Sequence, residues 1–268
     1  MKIALTLPVY LSSDILFDFT RQTIESIKSE NNDLSIYLIV NYSLPEFYPT
    51  KDKFKLDPSV KEFKVIDNPK GNNVSASWNF GIKTGLEAGN DFVMVLNNDL
   101  VLHRKCVDNL VTFADAHSEL LLWTASEWID VRTLDGIKEA EIVWSFDEHP
   151  HFSYFMVNQK TIDTIGYFDE NMEMAYFEDA AYHYKILVTG HKAGKTAAAK
   201  FYHYGSRSIK VDEDLNSKNR FSYEKNREYV ESKCGVDFHG MVFSPPEQVL
   251  EKGYKYPFNN QKLDWKDF

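Results

Sequence analysis

Phe92-Val93-Met94-Val95-Leu96-Asn97-Asn98-Asp99 is an unbroken apolar run that stops on two amides and a carboxylate. Its apolar residues do not alternate with polar ones, so both faces of the element must be covered, as in a strand inside a parallel sheet. Toward the N-terminus, Val74, Trp78, Ile82 and Leu86 fall four apart and share one helix face. Further back, Lys2–Val9 reads as a strand closing on Pro8-Val9-Tyr10, and Leu34–Val40 and Glu62–Ile66 read as two more. Between the first two, Ile15, Leu16, Phe19, Ile24 and Ile27 recur at helical spacing, with Ser12 and Ser13 placed to cap that helix. Strands alternating with helices in this way predict an α/β domain.

Downstream, the pattern predicts helices over Arg104–Ala116, Thr161–Gly166, Glu178–Thr189 and Leu215–Lys233, and strands over Leu120–Thr124, Phe152–Val157 and Ala197–Tyr204. Gly166 and Gly190 stand where helices end. Residues 126–150, with Trp128, Trp144 and His149-Pro150, carry no periodicity that places them. From Gly235 onward the chain is aromatic, broken by Pro245, Pro246 and Pro257, and aperiodic. The division expected is a domain over 1–210 and a segment over 211–268 that packs on it or forms a homodimer contact.

The 268 residues are 43% hydrophobic and 26% charged, as in an ordinary soluble globular protein. No apolar run approaches the roughly 18–20 residues that span a bilayer. The start, Met1 to Pro8, reads as a strand and not as a signal peptide, its apolar stretch being too short. Cys106 and Cys234 have no metal-site spacing, which points away from a disulfide scaffold or zinc and toward a reducing cytoplasm. Net charge is -10. Between His183 and Lys233, however, eleven Lys/Arg stand against six Asp/Glu. That surplus suits either a solvated helix face or an anionic ligand.

Three constellations carry chemistry. Asn97-Asn98-Asp99 follows an apolar strand, and in open α/β sheets ligands sit beyond the carboxyl ends of strands. One carboxylate with flanking amides suits a hard divalent cation that takes its other ligands from phosphate and water; it also suits a plain strand-to-loop turn. Glu178-Asp179 opens a helix, where the dipole alone favours acids, but a carboxylate beside another and flanked by Tyr176, Phe177 and Tyr182 can also be a general base. His203 precedes Gly205-Ser206-Arg207-Ser208, whose N–H, hydroxyl and guanidinium groups bind phosphate; a packed core histidine is the alternative.

In this order the segments resemble family 2 of the inverting glycosyltransferases, which have the GT-A fold. The resemblance runs from about Lys2 to about Lys210. It comprises Pro8-Val9-Tyr10, Ile66-Asp67-Asn68 leading through Gly71 to Asn79-Phe80-Gly81, the strand into Asn97-Asn98-Asp99, Gly166-Tyr167-Phe168-Asp169, Glu178-Asp179 and His203. It implies a Rossmann-like, mostly parallel central sheet flanked by helices, with a C-terminal helical and irregular extension. It further implies that Asp99, in the place of the family's Asp-x-Asp motif, and His203 hold Mn²⁺ or Mg²⁺. Pro8, Tyr10, Asn41, Asn68, Asn79, Asn97 and Asn98 would form the nucleotide-sugar site, with Arg207 on the diphosphate. Asp179 would be the catalytic base, with Glu178 beside it. Two departures stand out: Val40-Asn41-Tyr42-Ser43 replaces the usual acidic pair after the second strand, and Asn97 replaces the first acid of Asp-x-Asp.

The implied activity is transfer of a sugar from a nucleotide-diphosphate sugar, a UDP-sugar before others, to a hydroxyl of a glycan, lipid-linked saccharide or protein. A hydroxylated base in nucleic acid would suit the basic segment but not the overall charge. A sugar-phosphate nucleotidyltransferase would carry a Gly-rich, Arg-containing loop after the first strand, where this chain has Tyr10-Leu11-Ser12-Ser13. A non-catalytic carbohydrate-binding protein on a degenerate fold would be expected to have lost Asp99 or Asp179.

Overall fold

The computed structural model describes residues 1–69, 71, 73–138, 146–147, 150–205, 211 and 213–234. Its strands are β1 (Lys2–Leu11), β2 (Asp33–Ser43), β3 (Val60–Asp67), β4 (Phe92–Leu96), β5 (Leu100–Leu102), β6 (Leu122–Trp128), β7 (Phe146–Asp147), β8 (Tyr154–Val157) and β9 (Ala193–His203). They form one sheet in the order β3-β2-β1-β4-β8-β6-β9-β5, with β7 also paired to β9. The half β3-β2-β1-β4 is wholly parallel. Beyond it β8 runs antiparallel to both β4 and β6, β9 runs parallel to β6, and β5 and β7 run antiparallel to β9. Among the described residues six strands thus share one direction and three oppose them, giving a mixed sheet.

The helices are α1 (Asp14–Ser26), α2 (Val74–Glu87), α3 (Cys106–Ala116), α4 (Val131–Leu134), α5 (Gln159–Ile165), α6 (Glu178–Val188) and α7 (Glu213–Cys234). The two faces of the sheet explain the non-alternating strands. Ile3, Leu5, Leu7, Met94 and Leu96 enter one core layer with Ile24, Val107 and Leu110 from α1 and α3. Their neighbours Ala4, Val93 and Val95 enter a second layer with Trp78, Ile82, Ile162, Tyr182 and Ile186 from α2, α5 and α6. Alternate residues of each strand therefore bury on opposite sides, each large apolar side chain contributing about 1.5–3 kcal/mol.

Helix α2 sits close to the sheet because two glycines face it. A Cβ on Gly81 would stand 2.8 Å from Thr6, and one on Gly85 would stand 2.7 Å from Val93 and 2.8 Å from Ala4. Ser13 does occupy the N-cap of α1, and its carbonyl accepts from Phe17 N–H at 3.1 Å, but its side chain makes no capping bond. Strand β5 and helix α4 lie where the sequence pattern predicts no element; both are too short to show a period.

Candidate active site

Because β1, β2 and β4 are parallel, their carboxyl ends open on the same edge of the sheet. Pro8 and Tyr10, Asn41, and Asn97-Asn98-Asp99 meet there on the wall of one cleft of about 360 Å³. Glu178, Asp179 and His203 line the same cleft. Nine of the residues singled out from the sequence are thereby brought together. Tyr10 stacks on the exposed Tyr42 at 4.8 Å. Asn41 Oδ1 accepts from Asn68 Nδ2 and from the Ser77 hydroxyl, both at 2.8 Å.

Two predicted residues stand off the cleft wall. Asn68 is buried behind Asn41 and holds it in place. Asn79 is tied twice to the backbone of one residue: its amide donates to Phe168 O at 2.8 Å and its oxygen accepts from Phe168 N–H at 2.9 Å. That pair of hydrogen bonds joins α2 to the Gly166–Asp169 turn, a bracing contact within the protein. Arg207 lies outside the described residues, as does the tail from Gly235.

The juxtaposition of Asp99 with His203 is made by the β5–β9 ladder. Leu100 pairs with His203, and Tyr204 N–H donates to Asp99 O at 3.0 Å, bringing two distant parts of the chain to one point. Asp99 is 3% exposed. His203 Nε2 lies 3.1 Å from Asp99 Oδ1, yet this buried nitrogen has no hydrogen bond of acceptable geometry. Two ligand-type atoms close together, one buried and lacking a hydrogen bond, fit a cation lodged between them. No group of three or more His, Cys, Asp or Glu suited to a metal occurs among the described residues. A cation here would therefore take its remaining ligands from substrate phosphate and water, as Mg²⁺-type sites do.

On the same cleft, α6 begins with the acid pair. Glu178 is 7% exposed and its Oε2 has no hydrogen-bond partner. Burial, together with the neighbouring Asp179 charge, pushes its pKa up to about 8. Asp179 is half-buried, and its Oδ1 accepts from Ala180 N–H at 2.7 Å. Burial raises its pKa as well, opposed by the backbone N–H groups of Ala180 and of Asp179 itself. Immediately before the pair the backbone is left-handed at three non-glycine residues, Met174 (φ 55°), Tyr176 (φ 79°) and Phe177 (φ 71°). Such residues cost on the order of 1–3 kcal/mol each and persist only where the surroundings over-determine them.

Sequence reasoning passed over Asn73, His151, Ser153 and Met174, which line the cleft, and took Trp78 and Tyr176, also on its wall, only as a helix-face residue and as a neighbour of the acid pair. His151 stands T-shaped to His203 at 6.5 Å and contacts Glu127 at 3.0 Å, while burial holds its pKa below the usual imidazole value. Ser153 Oγ is 3.3 Å from His203 Nδ1. These two sit at the edge of the aperiodic stretch 126–150, where nothing in the pattern marks them.

Among solved structures, S. aureus TarS aligns with 94% of this chain and 42% of its own, at 12% identity and a TM-score of 0.57. GalNAc-T7, crystallised with UDP, GalNAc and Mn²⁺, aligns over 94% of this chain and 55% of its own at 11% identity and a TM-score of 0.58. The mannosyltransferase PcManGT from Pyrobaculum calidifontis, in complex with GDP-Man and Mn²⁺, aligns over 92% and 69% at 12% identity and a TM-score of 0.56. The chain thus spans about half the length of the first two. No curated protein sequence matches it. The similarities establish a shared fold, and a family model adds the membership: residues 7–177 match "Glycosyl transferase family 2", a span holding Pro8 through the strained approach to Glu178, so the chain belongs to glycosyltransferase family 2.

Proposed function

We propose that this enzyme moves a sugar from a nucleotide-diphosphate sugar, a UDP-sugar before others, to an acceptor hydroxyl, with metal assistance and inversion at the anomeric carbon. One observation carries the reading: a single cleft holds both the Asp99–His203 pair and the Glu178–Asp179 pair. A donor site and a base site are what a direct displacement needs.

Asp99 and His203 would hold Mn²⁺ or Mg²⁺, whose charge would stabilise the leaving diphosphate. The two structural neighbours with Mn²⁺ also hold UDP or GDP-Man, which fits a donor of this class. Pro8, Tyr10, Asn41, Asn97 and Asn98 would seat the donor, with Asn68 bracing Asn41 from behind. Asp179, open on the cleft and with one oxygen steadied by a backbone N–H, takes the proton from the attacking hydroxyl. Glu178, deeper and holding its proton at neutral pH, keeps a second negative charge from forming beside that base and can donate to the acceptor. Attack and departure occur in one displacement, so the protein forms no covalent bond to the sugar.

The test is a panel of UDP- and GDP-sugars incubated with Mn²⁺ and hydroxyl acceptors, following release of the nucleoside diphosphate. Turnover is expected with at least one donor, lost in excess EDTA and in Asp99→Ala. The product's anomeric configuration, read from NMR coupling constants, should be opposite to the donor's. Undiminished transfer in EDTA would remove the metal from the scheme, and a retained configuration would remove the single displacement.

A further inference from the structure

The family match ends at Phe177, and no described residue of α7 lines the cleft. Yet α7 is fastened to the loop that delivers the acid pair. Ser222, Asn226 and Tyr229 fall on one helix face at spacings of four and three. Ser222 Oγ donates to Glu173 Oε2 at 3.3 Å, and Tyr229 OH donates to Asp169 Oδ2 at 2.8 Å. The ring of Tyr223 packs edge-on against Tyr176 at 5.5 Å and Phe177 at 4.9 Å.

Asn226, 2% exposed, is the centre of this contact. Its amide nitrogen reaches three carbonyls, Glu173 O at 2.7 Å, Ala175 O at 3.1 Å and Tyr176 O at 3.3 Å, and its oxygen accepts from Glu173 N–H at 2.9 Å. Three carbonyls so close in sequence converge on one amide because the backbone between them curls through left-handed conformations at Met174 and Tyr176. At the N-terminus of α2, Asn73 Nδ2 donates to Glu170 O at 2.9 Å, and Val74 N–H to Met174 O at 2.9 Å. A conformation unfavourable to ordinary residues is thus held from two helices, and the α7 hold depends largely on one side chain.

We propose that Asn226 is a positioning residue for the acid pair: from outside the cleft it holds residues 173–176 in their left-handed path and so sets where Glu178 and Asp179 stand. No other short side chain offers both the donors and the acceptor this loop requires. Alanine would leave the Glu173 N–H and the converging carbonyls without their partner. Aspartate would keep the bond to Glu173 N–H but turn a negative oxygen toward the carbonyls. The inference rests on reading Asp179 as the base, and the experiment separates the two.

With a productive donor, kcat and donor KM are measured for wild type, Asn226→Ala, Asn226→Asp, Asp179→Asn and Glu228→Gln, the last an exposed residue of the same helix. UDP affinity in Mn²⁺ is measured by calorimetry. Asn226→Ala and Asn226→Asp should lower kcat by about 10- to 100-fold, the scale of an ångström-level misplacement. UDP affinity should stay within about twofold, because the donor wall comes from β1, β2 and β4. Glu228→Gln should match wild type. Normal kcat in folded Asn226→Ala, or kcat and UDP affinity falling together, overturns the proposal. Should Asn226→Ala fail to fold, Tyr229→Phe decides: it deletes the hydroxyl that bonds Asp169, and several-fold loss of kcat at constant UDP affinity is expected, with wild-type turnover overturning the idea. Normal turnover in Asp179→Asn overturns the base assignment and the clamp with it. Loss there alongside normal turnover in Asn226→Ala removes the clamp alone.

Discussion

Glu178 and Asp179 are neighbours in the chain, but about 100° of helix rotation places them in different surroundings. Glu178 is buried with an unpartnered oxygen, whereas Asp179 is half open and held by Ala180 N–H. Asp179→Asn keeps the shape and removes the basicity, so transfer should fall by roughly 10²- to 10⁴-fold with UDP affinity in Mn²⁺ unchanged. Glu178→Gln should act more on acceptor KM; the reverse pattern would move the base by one residue. The same pair shapes stability against pH. Glu178 binds its proton up to about 8 in the folded chain, against an ordinary value of 4.5. Between those limits the folded state holds more protons than the unfolded one, so stability is greatest below the window and declines as pH rises through it. Melting curves from pH 5 to 9 should show that decline, and Glu178→Gln should flatten it. An unchanged slope in the variant would assign the loss elsewhere. The residue types were legible in the sequence. Their unequal burial was not, because it depends on the loop folded over them.

At the scale of elements, α2 was read correctly from Val74, Trp78, Ile82 and Leu86, which supply its apolar face. What the spacing does not show is that Gly81 and Gly85 set how near that face comes to the sheet. Gly85→Ala brings opposed effects: alanine is the better helix former by about 1 kcal/mol, while overpacking typically costs about 1–3 kcal/mol. The added Cβ would meet Val93 at 2.7 Å and Ala4 at 2.8 Å, side chains of two buried strands with little room to move. Sterics should win, and urea denaturation should show net destabilisation of about 1–2 kcal/mol; a more stable variant would mean the helix shifts freely. Helix α7 makes the complementary case. Its sequence reads as a charged, solvated helix because the stripe it buries is Asn219, Ser222 and Asn226 together with Val230. A polar stripe is invisible to hydrophobic periodicity, since the burial of Ser222 and Asn226 is offset by hydrogen bonds to one particular loop.

For the whole molecule, binding at the cleft should appear as stability. If the cation and donor bind only the folded chain, UDP with Mn²⁺ at a hundred times its dissociation constant should add about 2.7 kcal/mol. Thermal melts with and without EDTA should show that the part requiring Mn²⁺ is lost in Asp99→Ala, and an equal Mn²⁺-dependent gain in the variant would place the cation elsewhere. No helix among the described residues is long and apolar enough to cross a membrane. The sequence alone determined the α/β class, the major elements and the strand-end position of Asn97-Asn98-Asp99, because periodicity and local turn chemistry are written within a few residues of each element. Tertiary structure alone decided three matters. The short β5, paired to β9, supplies the geometry that sets Asp99 against His203, a pairing otherwise only implied by the resemblance. Asn79 braces the Phe168 turn from away from the cleft wall. The left-handed approach to α6 is held by the Val74 N–H of α2 and by the Asn226 side chain of α7. Each depends on residues far apart in the chain whose hydrogen bonds have no periodic signature, so they become visible only when the sheet has brought them together.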